Sequence, residues 1–390
     1  MKEKKIKSAR VPLYRDSGFE LTDADITRKA FLSESENEHI PANFIYSRYR
    51  NPTVIDAESE IMKLEGSSWA LLTQSGMSAI DTALSVFQSA GDGRPWLFNS
   101  EIYGGTDSYI DSVLIARRGV NVHRFSPGGM SYDLQEFEKN IKESNPSLVF
   151  FEVVSNPMLV VAPVREIIEI IHRHGAVAII DNTFASPHLT RPLEMGADIV
   201  VHSATKYFGG HGNITAGVLC GNDSAIMKKA IDYRKLVGHM LSPDDAYRLK
   251  TQMQSFDLRF SRQCDNALSI ARELEKSEAV TKVYYPGLPA HATHSTAREL
   301  FSDKAYGAIV TFSFAGEDDE QKRIRRDRFI AAVSPDIKLV PTLGDAHTIL
   351  MPVEPIWGHR YPDPGMIRLS AGFEDTGFLV EKIRSALAQL

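Results

Sequence analysis

Two cysteines, Cys220 and Cys264, are all that the 390 residues contain. So few cannot form a disulfide framework, which fits a reducing cytoplasm. Each is expected to be an inert small core residue. No apolar run approaches the roughly 20 residues that a membrane span needs. The basic start MKEKKIKSAR is not followed by an apolar segment, so a secretory signal is not expected. Charge of one sign is also missing. The 44 basic and 50 acidic side chains leave a net charge of −6, which gives no reason to expect nucleic acid or an anionic membrane as partner. There are no internal repeats and no low-complexity segments. His172 and His174 are too close in sequence to share a helical face; they read as solvated helix residues, and no metal site is expected. Gly209, Gly210 and Gly212 do not spell GxGxxG, so a nicotinamide site is weakly supported.

What is present is ordinary in bulk and patterned in detail. Apolar residues make up 43% and charged residues 24%, as in soluble globular proteins. Residues 1–50 are polar and weakly periodic, which predicts an extended arm without a core of its own. NPTVIDAESEIMKLEG then predicts a helix, with Asn51 as its cap, Pro52 at its first position and Gly66 at its end. Short apolar runs follow: WALLT, PWLF, VNVHRF, LVFFEVV, AVAIID and DIVVH. Helical patterns separate them. This alternation predicts an α/β fold with a mainly parallel central sheet wrapped by helices, over residues 51–240. From 241 to 390 the rhythm changes to long helices and a few strands, which predicts a smaller α+β domain.

In such a sheet, ligands sit at the carboxyl ends of the strands. The residues found there are chemically varied. After WALLT comes Gln74-Ser75-Gly76-Met77, where backbone N–H groups can approach an anion at a helix N-terminus. Tyr103-Gly104-Gly105-Thr106, Ser155-Asn156-Pro157 and Asp181 follow other strands. After DIVVH the stretch VVHSATKYFGGHG brings Ser203, Thr205 and Lys206. Burial lowers the pKa of a lysine, so Lys206 is a paired structural charge or a reactive amine. Together these strand ends offer an anion cradle, a carboxylate, an aromatic ring and an amine. A phosphorylated aromatic aldehyde needs that set, and pyridoxal 5'-phosphate is such a group.

The motifs YSRYRNPT (46–53), QSGM (74–77), YGGT (103–106), SNP (155–157), IRLSAGFED (367–375) and the segment 179–217 extend this reading. With them the chain, from about residue 40 onward, resembles the Cys/Met-metabolism family of pyridoxal-phosphate enzymes. That family includes cystathionine γ-synthase, cystathionine γ-lyase, methionine γ-lyase and O-acetylhomoserine sulfhydrylase. The resemblance implies fold type I and a role for each matching residue. Lys206 would carry the cofactor as a Schiff base, and Asp181 would pair with its ring nitrogen. Tyr103 would stack on the ring and assist proton transfer. Gly76, Met77, Ser203 and Thr205 would hold the phosphate, and Asn156 would lie near the ring oxygen. Tyr46 and Arg48 would reach the phosphate of a neighbouring subunit. A homodimer with shared sites follows, usually assembled into a tetramer. Arg368 would bind the substrate α-carboxylate, and Thr342 stands in the same carboxylate-binding loop.

The chain departs from that family at the substrate end. Thr342-Leu343-Gly344 has threonine where serine is common, and His347 stands where many members acting at Cγ have glutamate. Met351-Pro352-Val353 replaces His-Pro-Ala, and Arg15-Asp16-Ser17-Gly18-Phe19 replaces a segment like QTSTF. Gly105 stands where methionine γ-lyases usually have cysteine, which argues against that assignment. The expected activity is γ-elimination or γ-replacement on a sulfur-containing or homoserine-derived amino acid in the cytoplasm. A β-lyase or racemase on the same fold, or a cofactor-binding protein without turnover, is the alternative.

Overall fold

The structure, a computed structural model, describes residues 8–89, 91–127, 130–302 and 305–390. Its first helix, α1 (Ala24–Ser35), lies inside the segment expected to be an extended arm. Asp23 starts it, its carboxylate accepting from the Ile26 N–H at 2.8 Å. Only Ala30 and Glu34 are buried along it, so no apolar period marks the helix in the sequence.

The second helix, α2 (Pro52–Glu65), forms where its caps predict. The Asn51 side-chain oxygen accepts from Thr53 N–H at 2.9 Å, and Gly66 ends the helix in the left-handed conformation, with φ of 68°. Strands and helices then alternate: β1 (Trp69–Thr73), α3 (Gly76–Ser85), β2 (Trp96–Asn99), α4 (Gly104–Tyr109), β3 (Val122–Phe125), α5 (Leu134–Ser144), β4 (Leu148–Glu152), α6 (Val164–Arg173), β5 (Val177–Asp181), α7 (Ser186–Leu189), β6 (Ile199–His202), β7 (Gly217–Gly221) and α8 (Ser224–Val237).

These seven strands form one sheet in the order β1-β7-β6-β5-β4-β2-β3. The row from β6 to β3 is parallel, as expected. β7 is antiparallel to both its neighbours, β1 and β6. No crossover helix joins β6 to β7, so the chain turns back on itself. The sequence reading missed GVLCG, which begins and ends on glycine and so lacks a strand signature. Leu148 and Phe150 of β4 enter one core and Val149 and Phe151 the other. Both faces are covered, which explains why the strand reads as a continuous apolar run.

The remaining elements are α9 (Pro243–Met253), α10 (Phe256–Leu274), β8 (Val280–Tyr284), α11 (His294–Leu300), β9 (Ile309–Phe314), α12 (Asp319–Val333), β10 (Lys338–Leu339), β11 (Ile349–Pro352), α13 (Glu354–Trp357), β12 (Met366–Ser370) and α14 (Thr376–Leu387). Their strands make a second sheet, β10-β11-β12-β9-β8. Helix α10 serves both sheets. Phe256, Phe260 and Cys264 lie in a core of the first, and Ala267, Ile270 and Leu274 in the core of the second.

Both cysteines are buried and unbridged, and burial pushes their thiols up. His172 and His174 are more engaged than solvated residues would be, pairing with Asp198 at 2.9 Å and Glu138 at 3.0 Å. Among the described residues no group of side chains could hold a metal ion, and no helix is long and apolar enough to cross a membrane.

Candidate active site

The strand order reverses between β2 and β4, and side chains converge at the carboxyl ends beside that point. Tyr103 follows β2, Glu152 ends β4, Asp181 ends β5 and Lys206 follows β6. The second sheet adds Arg368 from the middle of β12 and Thr342 from the loop before β11. They surround a cavity of about 440 Å³. All the residues given a cofactor or substrate role from the sequence line it except Tyr46 and Arg48.

Lys206 Nζ donates to Thr342 Oγ1 at 2.7 Å. Burial, and then the charge of Arg368, lower its pKa from 10.5 to about 8. The amine is therefore substantially neutral at mildly alkaline pH. Its setting depends on close backbone approach. Gly344 has φ of 75°, and a side chain there would meet the Lys206 backbone at 3.0 Å. An acylating reagent should modify Lys206 in cofactor-free protein with a midpoint near pH 8, and Arg368→Leu should move that midpoint up. Peptide mass spectrometry across a pH series checks this; a midpoint near 10.5 would refute it. Between about pH 8 and 10.5 the unfolded amine binds a proton that the folded one does not. This group's contribution to stability therefore rises with pH across that window.

Arg368 is buried, at 4% exposure. It donates to Asn156 Oδ1 at 3.1 Å and to the Thr342 carbonyl at 3.0 Å, both neutral acceptors. Its Nε has no partner, and burial lowers its pKa to about 10. A buried cation with a donor to spare fits a ligand carboxylate.

Asp181 accepts from Thr183 N–H at 2.8 Å, and burial raises its pKa. Glu152 sits beside it in the register of β4 and β5. Burial, and then the charge of Asp181, raise Glu152 well above the usual carboxylate range. Of the two, Glu152 is pushed further towards its protonated form than Asp181. Glu152 Oε1 accepts from Tyr103 N–H at 2.6 Å, fixing the backbone that bears the ring. Sequence reasoning missed Glu152, although a lone acid in LVFFEVV is as odd as a lysine after DIVVH. The Tyr103 ring is 47% exposed and borders the cavity. A Cβ at Gly105 would lie 2.4 Å from that ring, so the ring position itself requires glycine there.

Helix α3 opens at Gly76, with Ser75 capping it through the Ser78 N–H at 3.1 Å. Gly76 and Met77 supply first-turn N–H groups. Ser203 lies so near that a Cβ on Gly76 would be 2.9 Å from its own Cβ. The Thr205 hydroxyl donates to the Ala216 carbonyl and accepts from the Ala216 N–H, both at 3.0 Å, so its proton is already engaged. A helix N-terminus, a buried carboxyl and an amine of lowered pKa in one cavity fit the phosphate, ring nitrogen and aldehyde of pyridoxal phosphate.

Tyr46 and Arg48 lie elsewhere. The Arg48 guanidinium rests 5.4 Å from the Tyr46 ring and 5.0 Å from that of Tyr49, and donates to the Lys235 carbonyl. His347 is 79% exposed at its side chain, 3.9 Å from Glu374, and does not line the cavity.

A family model described as Cys/Met metabolism PLP-dependent enzyme matches residues 1–388. An L-methionine gamma-lyase of Porphyromonas gingivalis is 31% identical, over 97% of this chain and 92% of its own. A cystathionine beta-lyase of Lactococcus lactis subsp. cremoris is 33% identical, over 89% of each chain. The crystal structure of a cystathionine gamma synthase from Xanthomonas oryzae pv. oryzae, in complex with aminoacrylate and cysteine, superposes with a TM-score of 0.86. It is 25% identical, over 99% of this chain and 95% of that one.

Proposed function

Since the chain belongs to the Cys/Met metabolism family of pyridoxal-phosphate-dependent enzymes, with their type I fold, we propose that it acts at Cγ of a sulfur-containing or homoserine-derived amino acid, by elimination or replacement. The observation that carries this reading is Lys206, whose amine lines a cavity between Asp181 and Arg368, hydrogen-bonded to Thr342 and with its pKa lowered to about 8. Loss of a γ-substituent requires proton removal first at Cα and then at Cβ. One flexible amine with a pKa of about 8 is suited to both.

Pyridoxal phosphate, when bound, supplies an electron sink for the α-carbon of the amino acid joined to it. The chain's own groups do the rest. Gly76, Met77 and Ser203 would hold the phosphate end, and Asp181 would face the ring nitrogen. Arg368 takes the α-carboxylate and so fixes which substituent of Cα meets Lys206. Thr342 accepts from the Lys206 amine and steers its lone pair. Glu152 holds the loop that places Tyr103.

A shared site between subunits is part of the proposal. Tyr46 and Arg48 stay outside their own cavity, and Tyr46, Leu236 and Val237 are exposed nearby in the Arg48–Lys235 region. These features support a second copy whose phosphate end Tyr46 and Arg48 complete.

The test is a product panel. Purified protein is incubated with cystathionine, homocysteine, methionine, and O-acyl-homoserines with a thiol. Appearance of 2-oxobutanoate establishes elimination, and a new thioether establishes replacement. Pyruvate from cystathionine with neither of these makes the protein a β-lyase and overturns the reading.

A further inference from the structure

We infer that this active site selects amino acids with an uncharged, apolar γ-substituent, and that Trp357 is the specificity-determining residue. The inference rests on the preceding reading, that Arg368 takes the α-carboxylate. A substrate anchored there must send its side chain along the neighbouring wall. Met351 lies beside Arg368 in the register of β11 and β12, and the Trp357 ring stands 5.7 Å from the guanidinium carbon. Ile356, Val154 and Leu343 continue the same lining. None of these side chains carries a charge.

The charged groups of the cavity are already committed. Lys206, Arg368, Asp181 and Glu152 are the charged residue types lining it, and each has the partner or role described above. A distal ammonium or carboxylate, as in an amino-acid-ended thioether or a succinyl ester, would lose water here and gain no opposite charge. A methyl thioether or an alkyl ester would lose only water it holds weakly. The nearest departure with a titratable side chain, His347, points away from the cavity, so it does not supply the missing charge.

The wall is held in place from both ends. Glu354 of α13 accepts from Arg323 at 2.8 Å and Arg326 at 3.1 Å. After α13, Arg360 pairs with Asp107 at 2.5 Å and the Tyr361 hydroxyl donates to Glu101 at 2.9 Å. Both of those acids flank Tyr103 in sequence. The indole is fitted against the first turn of α4: a Cβ on Gly104 would stand 2.9 Å from Trp357 Nε1. Trp357 is therefore a fixed surface that faces the same space as the Tyr103 ring.

The test uses the yellow holoenzyme and amino acids without a γ leaving group. L-norleucine ends in a methyl group, L-2-aminoadipate in a carboxylate and L-ornithine in an ammonium. Each is titrated while the absorbance of the bound cofactor is followed. Norleucine is expected to bind about 100-fold tighter than either charged analogue. Trp357→Ala should reduce that ratio to about tenfold, and Trp357→Phe should largely restore it. Ile356→Arg, at a position 45% exposed and so tolerant of a long polar side chain, should shift the preference, improving aminoadipate binding and weakening that of norleucine. Equal affinity for the three analogues in the wild type overturns the inference alone. So does a ratio indifferent to both Trp357→Ala and Ile356→Arg. A yellow protein whose spectrum responds to none of the three overturns the amino-acid reading with it.

Discussion

Lys206→Ala should lower turnover by ~1000-fold or more while leaving the fold intact. The alternative for a buried lysine is a structural ion pair, and the geometry opposes it. Its Nζ is bonded to a neutral hydroxyl, that of Thr342, and the charge acting on it is the like charge of Arg368. Removing a structural partner would strand an opposite charge and cost about 3–5 kcal/mol. Removing Lys206 strands none, so the thermal midpoint of the cofactor-free protein should stay level or rise. Borohydride reduction of the wild type, followed by peptide mapping, should place the cofactor on the peptide that contains Lys206. A variant that keeps more than a tenth of the wild-type turnover would falsify this assignment.

Arg368→Leu should raise KM for the amino acid by roughly 100-fold, on the order of 3 kcal/mol of lost carboxylate binding. It should not destabilise the protein. Arg368 is a buried cation that donates to an amide oxygen and a carbonyl, and its Nε has no partner among the described residues. In the free enzyme that charge is a cost, and the substrate carboxylate offsets it. Leucine fills part of the space without needing a partner. Arg368→Lys should recover little, since an ammonium cannot present the paired donors of a guanidinium to a carboxylate. Steady-state kinetics and thermal denaturation of both variants check the two halves together. Loss of stability with unchanged KM would mean that Arg368 serves the second sheet rather than the ligand.

Much of this molecule could be read from its sequence because local chemistry and burial agree there. Asn51, Pro52 and Gly66 bracket α2 by their backbone preferences alone. The central parallel strands are largely apolar because helices cover both faces, whereas β3 at the sheet edge is half exposed. Lys206 and Asp181 stood out as ionisable residues at the ends of such strands. The features that stayed hidden depend on distant contacts. Nothing local marks β7, which is set by a reversal after β6 and lies between two strands that sequence separates widely. Helix α1 buries too little to be periodic. Glu152 lies inside an apolar strand run, and its raised pKa follows from burial and from Asp181 on the next strand. Trp357 and Ile356 are held at the cavity by distant ties, from Glu354 to Arg323 and Arg326 and from Arg360 and Tyr361 to Asp107 and Glu101. Thr205 was legible as a residue of the site, but its bonds to Ala216 were not.

The bond from Lys206 to Thr342 spans 136 residues of chain. Synthesis is vectorial, and at about 5–20 residues per second the lysine leaves the ribosome roughly 10 s before its partner. During that interval the nascent chain already holds the amine, Asp181 and the turn at Gly76, but neither Thr342 nor Arg368. Any aldehyde in the surroundings meets a half-built site with no second wall. Docking of the second sheet brings Thr342 and Arg368 to the amine in the same event. Arrival of the last strands, rather than formation of the lysine's own sheet, marks the moment at which the polypeptide becomes selective.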